Sequence, residues 1–346
     1  MNQINNLPTG RILIGDVRER LAELPNASMD CVVTSPPYFS LRDYGHDQQI
    51  GAEATVDDWA AQIAAICDEF GRVLTPTGSL WLNLGDGYSR HSREGAAKKS
   101  LLLGPSRVAL LLTCSGWLLR NQIIWAKPNP TPSSVHDRFT ASHEVVYFFT
   151  RQPNYYFDLH AVREPAVTAA AGPARRVART YLCREAVPKL GRGKCPRVDL
   201  NHGLAGMKTA GLASHPLGKN PGDVWTVPTG SYRGAHFAAF PLEIIRRPLL
   251  AGCPERVCAV CDRPWRRAER LQHGRWLATG PLEPVCPHAS WRRGIVLDPF
   301  IGAGTTALAA EMHGRDWVGI ELNSDYAALA EKRLATWRAE QERAVS

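Results

Sequence analysis

Apolar positions along the chain follow two periods. From Asp58 to Leu74 they recur at helical spacing (Trp59, Ile63, Ile66, Phe70, Val73). From Asp325 to Arg338 they do so again, with Tyr326, Leu329, Ala330, Leu334 and Trp337 on one face. Leu101 to Ser115, stopped by Gly116, and Thr305 to His313, ended by Gly314, read as two further helices. The second period is that of short apolar runs between turn residues. Arg11 to Asp16, Asp30 to Thr34, Gly78 to Leu84, Asn121 to Trp125, Glu144 to Phe149, Gly294 to Asp298 and Trp317 to Glu321 each predict a strand. Strands alternating with helices predict an α/β fold: a doubly wound, mostly parallel, Rossmann-like sheet with helices on both faces. From Arg151 to about Tyr232 the rhythm fails and Pro, Gly, Arg and Lys take over. That stretch predicts a long functional insertion or a linker. No internal repeat is visible.

Length changes this picture little: 346 residues hold one large α/β domain, or a core plus a small module. No apolar run reaches the ~18 residues of a membrane span, and the N-terminus lacks a basic start followed by an apolar run. A cytoplasmic location, in a bacterium or a phage-infected cell, and no membrane partner are expected. Charge changes the picture more. The net charge is +8, and the stretch from Ala161 to Arg233 holds 12 Lys and Arg against 4 acidic residues, which is the whole excess. A basic segment of that kind suits a polyanion, although a solvated loop would read the same way.

Two segments carry candidate chemistry. Asp298-Pro-Phe-Ile-Gly302-Ala-Gly304-Thr-Thr306 joins a predicted strand to a predicted helix. Its glycines allow a tight turn and close approach of the backbone to a ligand. Glu321 ends the next strand about 20 residues on, where a ribose diol is read. Turn glycines alone would explain the pair; the strand–loop–helix–strand–Glu context argues for a nucleoside. The loop has two glycines, not the three of a dinucleotide fingerprint, and no Gly-Lys-Ser/Thr. A nucleoside without a pyrophosphate is therefore expected, and S-adenosylmethionine fits. The other segment, Thr34-Ser35-Pro36-Pro37-Tyr38, follows a buried strand. Consecutive prolines fix φ and remove two backbone donors, leaving carbonyl acceptors, a hydroxyl and a ring. That set suits a planar amino group, and a proline turn with a packed tyrosine is the plain alternative.

Together these segments resemble the DNA amino-methyltransferases. Thr34 to Tyr38 resembles their Asp/Asn/Ser-Pro-Pro-Tyr/Phe motif, and Asp298 to Thr306 their Asp-Pro-Phe-x-Gly-x-Gly-Thr motif. The catalytic motif comes first, as in the β-type order of bacterial and phage site-specific enzymes. Protein glutamine methyltransferases with a related motif carry the opposite order. The resemblance covers nearly the whole chain. Asp16 looks like the acidic contact to the cofactor adenine, Trp125-Ala-Lys127 like the Trp-x-Lys segment, and His143-Glu144 like the start of the following strand. Gly222 to Trp225 followed by His236 to Pro241 looks like the junction into the methionine-binding helix.

The resemblance implies a methyl transfer from S-adenosylmethionine to the exocyclic amino nitrogen of a flipped base in double-stranded DNA. Ser35, Pro36, Pro37 and Tyr38 would be catalytic, with Tyr38 stacking on the base while Ser35 and the Pro36 carbonyl accept its amino protons. Asp16, Thr34, His236, Phe240, Pro241, Asp298, Pro299, Phe300, Gly302, Gly304, Thr305 and Glu321 would hold the cofactor. Ser in the first position of the tetrapeptide leans toward cytosine N4 over adenine N6. The implied layout has the N-terminal part of the methyltransferase domain in 1–150 and target recognition in 151–232. The rest of that domain falls in 233–252 and 294–346. A cognate restriction endonuclease, and a monomer or a homodimer, fit the same resemblance. No covalent cysteine step is needed, which leaves Cys31 as a core residue.

One group among the nine cysteines has metal spacing. Cys258-Ala-Val-Cys261 is followed about 25 residues later by Cys286-Pro-His288, which predicts a tetrahedral zinc site in an inserted ribbon over 253–293. Cys253 could replace one ligand. Five arginines lie between the pairs, so the ribbon could touch DNA or be structural. Two other classes compete with the enzyme reading: a DNA-binding protein on a decayed catalytic domain, and a nicotinamide-dependent oxidoreductase. The intact Ser35 to Tyr38 segment counts against the first and the missing third glycine against the second.

Overall fold

The apolar runs become strands of one eight-stranded sheet. The computed structural model describes residues 9–41, 49–165, 215, 217–230, 240–272 and 275–345. In chain order the elements are β1 (Arg11–Ile14), α1 (Val17–Ala22), β2 (Met29–Thr34), α2 (Val56–Val73), β3 (Leu74–Leu84), α3 (Gly104–Cys114) and β4 (Leu118–Ala126). There follow β5 (His143–Thr150), β6 (Val224–Thr226), α4 (Leu242–Gly252), β7 (Ile295–Asp298), α5 (Thr305–Met312), β8 (Asp316–Glu321) and α6 (Ser324–Val345). The sheet order is β1-β8-β7-β2-β3-β5-β4-β6. Only β5 runs antiparallel to its neighbours, against β3 and β4.

Side-chain alternation splits the core into two layers. Val32, Leu80, Leu82 and Leu84 face a layer with Trp59, Ile63 and Phe70 of α2 and Leu112 of α3. Cys31, Val33 and Trp81 face the other, with Ile245 and Leu249 of α4, Ala309 of α5 and Leu334 of α6. β2 is buried along its whole length, which is why its sequence is a continuous run and not an alternation. Thr55 caps α2, its side chain accepting from the Asp58 amide, and Trp59 and Phe70 on its inner face are each 1% exposed. Burying each such side chain contributes roughly 1.5–3 kcal/mol.

Differences from the expected elements have local causes. α3 starts at Gly104 rather than Leu101, with Pro105 in its first turn, where a missing N–H costs nothing. α6 runs past Arg338 to Val345 because Ala339 to Ala344 are strong helix formers with no apolar stripe to show it. α1 and β6 are too short for periodicity to reveal.

The chain divides into two compact units. One takes the described residues within 1–162, 222–267 and 282–346, and contains the whole sheet. The other takes those within 163–221 and 268–281. In it, Glu164 bridges and ion-pairs with Lys219 at 3.2 Å, and Arg270–Gln272 pairs antiparallel with Arg275–Leu277. The residues around Trp225, expected in the insertion, thus belong to the sheet unit. The expected ribbon over 253–293 is shared between the two units. Most of the basic segment and His236 lie outside the described residues. No helix among the described residues is long and apolar enough to cross a membrane.

Candidate active site

β7 leads through α5 to β8 on one side of the sheet, and its neighbour β2 leads through α2 to β3 on the other. Loops leaving two adjacent parallel strands in opposite directions open a crevice at their carboxyl ends, where ligands of doubly wound sheets bind. The Ser35–Tyr38 loop leaves β2 there, and the Asp298–Gly304 loop leaves β7.

The crevice is a pocket of about 910 Å³, part of it open to solvent. Its wall brings together Asp16, Ser35, Pro37, Phe240, Pro299, Phe300, Gly302, Thr305 and Glu321. Val17, Ile50, Ile301, Ile320 and Leu322 add an apolar lining. Two carboxylates and no Lys, Arg or His stand among the described lining residues. That donor set disfavours a phosphate and suits a nucleoside with a cationic tail. Glu321 is held from both sides: its Oε2 accepts from the Gly302 amide at 2.8 Å and its Oε1 from the Asn323 amide at 3.0 Å. Burial still raises its pKa above the usual carboxylate range. Asp16 caps α1, accepting from the Arg18 amide at 2.8 Å, and the Arg18 guanidinium holds its carboxyl below the usual range.

Thr34 and Asp298 stand behind the wall. Asp298 is 1% exposed. It accepts from the Thr34 hydroxyl at 2.7 Å, the Thr306 hydroxyl at 2.5 Å and the Phe300 amide at 3.1 Å. Burial outweighs these donors and pushes its pKa up to about 6, with Glu321 adding to the rise. Its carboxylate thus shapes the loop from within. Gly304 caps α5 at φ +75°, and a Cβ there would come within 2.9 Å of the Ala330 Cβ; it too serves the loop's shape. Pro241 is the N-cap of α4, beside Phe240.

The Ser35–Tyr38 loop backs onto a polar network. The Tyr38 hydroxyl donates to Glu144 Oε2 at 2.7 Å, accepts from Asn83 Nδ2 at 2.7 Å and lies 3.1 Å from Ser35 Oγ. Asn83 Nδ2 also reaches Glu144 Oε2 at 2.9 Å and Ser35 Oγ at 3.3 Å. Lys127 ion-pairs with Glu144 Oε1 and rests over the Trp125 ring. The Tyr38 ring lies on Gly85, where a Cβ would come within 2.6 Å of Cε2, so the strand-end glycine lets the ring sit against backbone. The Pro37 carbonyl accepts from the Trp59 indole at 3.0 Å. Of this loop, Ser35 and Pro37 line the pocket, whereas Pro36 and Tyr38 are not among its described lining residues. Pro36 itself is buried. Cys31 is fully buried, and burial pushes its thiol pKa up to about 12, so it is no nucleophile.

Asn83 escaped the sequence reading, although a lone amide inside the apolar run Leu80 to Leu84 was a signal. Glu144 and Lys127 were seen only as motif neighbours; nothing local showed that Glu144 meets Tyr38 or that Lys127 pairs with Glu144. Apart from this site, Cys258, Cys261, Cys286 and His288 gather with their ligand atoms within 4.8 Å of one another. Cys253 is buried at the end of α4 and stands outside that cluster.

With this geometry in place, similarity to known proteins can be set beside it. A family model for N6/N4 methyltransferases, described as DNA methylase, matches residues 29–332. The type II methyltransferase M.SmaI of Serratia marcescens is 32% identical over 351 residues, covering 95% of this chain and 92% of its own. The type II methyltransferase M.XycI of Xanthomonas campestris pv. cyanopsidis is 34% identical over 342 residues, covering 92% and 86%. Among solved structures, the PvuII DNA methyltransferase (cytosine-N4-specific) matches with a TM-score of 0.56 at 16% identity, over 94% of this chain and 86% of that one. A putative DNA modification methylase of Thermus thermophilus, complexed with S-adenosyl-L-methionine, matches with a TM-score of 0.51 at 21% identity, over 94% and 93%. The shared fold is the Rossmann-like sheet expected from the sequence.

Proposed function

The chain belongs to the DNA methylase family of N6/N4 amino-methyltransferases, and from that premise we propose that it methylates cytosine N4 in double-stranded DNA, with S-adenosylmethionine as donor. One observation carries the reading: the same pocket is lined by Ser35 and Pro37 of the catalytic loop and by Asp16, Gly302 and Glu321 of the cofactor loops. The donor and the amino group would meet there.

When bound, S-adenosylmethionine supplies a methyl on a sulfonium, which leaves to the attacking nitrogen as the carbon–sulfur pair returns to sulfur. The chain's residues hold and orient. Glu321 takes the ribose hydroxyls on lone pairs not used by its two amides. Asp16 takes the adenine edge, and Phe300, Ile301 and Val17 enclose the ring. The Ser35 hydroxyl and Pro36 carbonyl accept the two amino protons, which keeps the nitrogen lone pair available for attack. The proton lost afterwards departs on the Ser35 side to solvent. Tyr38, fixed at its hydroxyl by Asn83 and Glu144, offers a ring that cannot swing away from the base. Such positioning can contribute about 7–11 kcal/mol to the rate.

Two observations favour cytosine: the neutral Ser35 in the first motif position, and the cytosine-N4-specific enzyme among the structures of the same fold. The basic excess between Ala161 and Arg233 supports target recognition in that stretch. The test is mass spectrometry of nucleosides from unmethylated genomic DNA incubated with protein and donor. N4-methylcytosine is expected. N6-methyladenine would overturn the base and keep the site.

A further inference from the structure

We propose that Cys258, Cys261, Cys286 and His288 hold one zinc ion in a closed tetrahedral site, and that this site braces the N-terminal end of the catalytic strand β2 through Arg292. The fit is geometric first. A tetrahedron with metal–sulfur bonds of about 2.3 Å has edges of roughly 3.8 Å. The four ligand atoms lie within 4.8 Å of one another, and Cys258 Sγ is 3.4 Å from His288 Nδ1. Three thiolates and an imidazole suit zinc and not the oxygen-seeking magnesium or calcium. Four protein ligands leave no open position for a reacting water, so the role is structural. The turn is already shaped for it. The Val260 amide points at Cys258 Sγ at 3.4 Å, the Asp262 amide donates to the Cys258 carbonyl at 3.1 Å, and Asp262 takes φ +54°.

The cluster's placement says what it braces. Val257–Cys258 pairs antiparallel with Trp291–Arg292, so the first ligand and Arg292 share one small ladder. Arg292 reaches out of that ladder to Asp30, at 2.6 Å and 3.3 Å, and to Asp262 in the ligand turn at 3.3 Å. Asp30 is 3% exposed and also accepts from the Ile295 amide at 2.9 Å. One buried carboxylate thus ties together the start of β2, the start of β7 and the metal turn. Arg256 adds a second clamp, stacked over Trp265 and Trp291. The cofactor and catalytic loops leave the opposite ends of these same strands, roughly 15 Å away at about 3.3 Å per residue. Releasing the metal would free the turn that aims Arg292 and leave Asp30 as an unpaired buried charge, which is strongly destabilising.

The experiment takes the full chain, purified without added metal, and measures its metal content and its melting temperature. About one zinc per chain is expected, released by a thiol-modifying mercurial. Protein refolded with cobalt(II) should show the ligand-field and thiolate bands of a tetrahedral site. Cys258→Ser with Cys261→Ser should lose the zinc, and His288→Cys, which keeps four ligands, should retain it. Arg292→Leu should retain the zinc and lower Tm by about 5 °C, and chelation, which strips the zinc from the wild type, should lower Tm by a similar amount. A folded wild type without zinc and without cobalt bands would overturn the site. So would zinc content indifferent to the double Cys substitution. Zinc bound as expected, but with Arg292→Leu leaving Tm unchanged, would overturn the brace.

Discussion

The two loops that meet in the pocket are built in opposite ways. The Asp298–Gly304 loop is mostly local: Asp298, Phe300, Gly302, Thr306 and Glu321 satisfy one another within a single strand–helix–strand unit, with the Thr34 hydroxyl of β2 added on Asp298. The catalytic loop is braced from a distance: Ser35 and Tyr38 after β2 depend on Asn83 in β3, Lys127 after β4 and Glu144 in β5. Charge separates them further. Glu144 has a cation beside it, whereas burial raises the pKa of Asp298 and Glu321, and no Lys, Arg or His stands among the described residues of the pocket wall. The cofactor side stores a cost that a cationic ligand would relieve, whereas the catalytic side already pairs its carboxylate with Lys127 and leaves only the buried Asn83 Oδ1 without a partner among its described polar groups. Substitutions in the two regions should therefore separate binding from turnover.

The largest expected effect comes from removing the anion at the centre of the braced network. Glu144→Ala strands the Lys127 ammonium, the Asn83 amide and the Tyr38 hydroxyl together. Single-turnover methylation should fall about 10²–10³-fold while the donor Kd stays within about threefold. A Kd that weakened in step with the rate would show the two regions to be one unit.

Next is a pH effect confined to the cofactor side. Native Asp298 keeps its proton to about pH 6, while the unfolded chain releases it near 3.8. Between those values the native state binds more protons, so this group's contribution to stability falls as pH rises, and it stays low above about 6. Asp298→Asn cannot ionise, still accepts from Thr34 and Phe300, and lets the Thr306 hydroxyl turn to accept. Urea unfolding at about pH 4 and about pH 8 should show the ligand-free wild type losing on the order of 2 kcal/mol more than the variant. An equal loss in both would mean that Asp298 ionises normally.

The same contrast explains what could be read without coordinates. Asp298 to Thr306 and Glu321 were legible because one strand–helix–strand unit carries them, and periodicity fixes which end of each strand they occupy. Tyr38 was legible as a residue, but its bracing was not. Asn83 and Glu144 lie 45 and 106 residues from it and meet it only through sheet order, which also brings Lys127 to Glu144 and which local pattern does not encode. The antiparallel β5, which brings Glu144 to the site, gave no signal that set it apart from the parallel strands.

A smaller effect tests the cofactor side by affinity. Glu321→Gln keeps one acceptor for the Gly302 or Asn323 amide but turns an N–H toward the other. The donor Kd should weaken about tenfold, with the rate at saturating donor unchanged, in a titration paired with single-turnover assays.

The smallest expected effect is the most discriminating. Tyr38→Phe removes the hydroxyl but leaves the ring on Gly85, and Asn83 still reaches both Glu144 and Ser35. The network closes over the gap, so the loss should be that of one net hydrogen bond, about 1 kcal/mol or roughly fivefold in rate. The hydroxyl then serves to hold the ring, and the ring serves the base. If Tyr38→Phe cost as much as Glu144→Ala in the same single-turnover assay, the hydroxyl would be acting on the reacting amino group. The network would then be chemistry rather than scaffold.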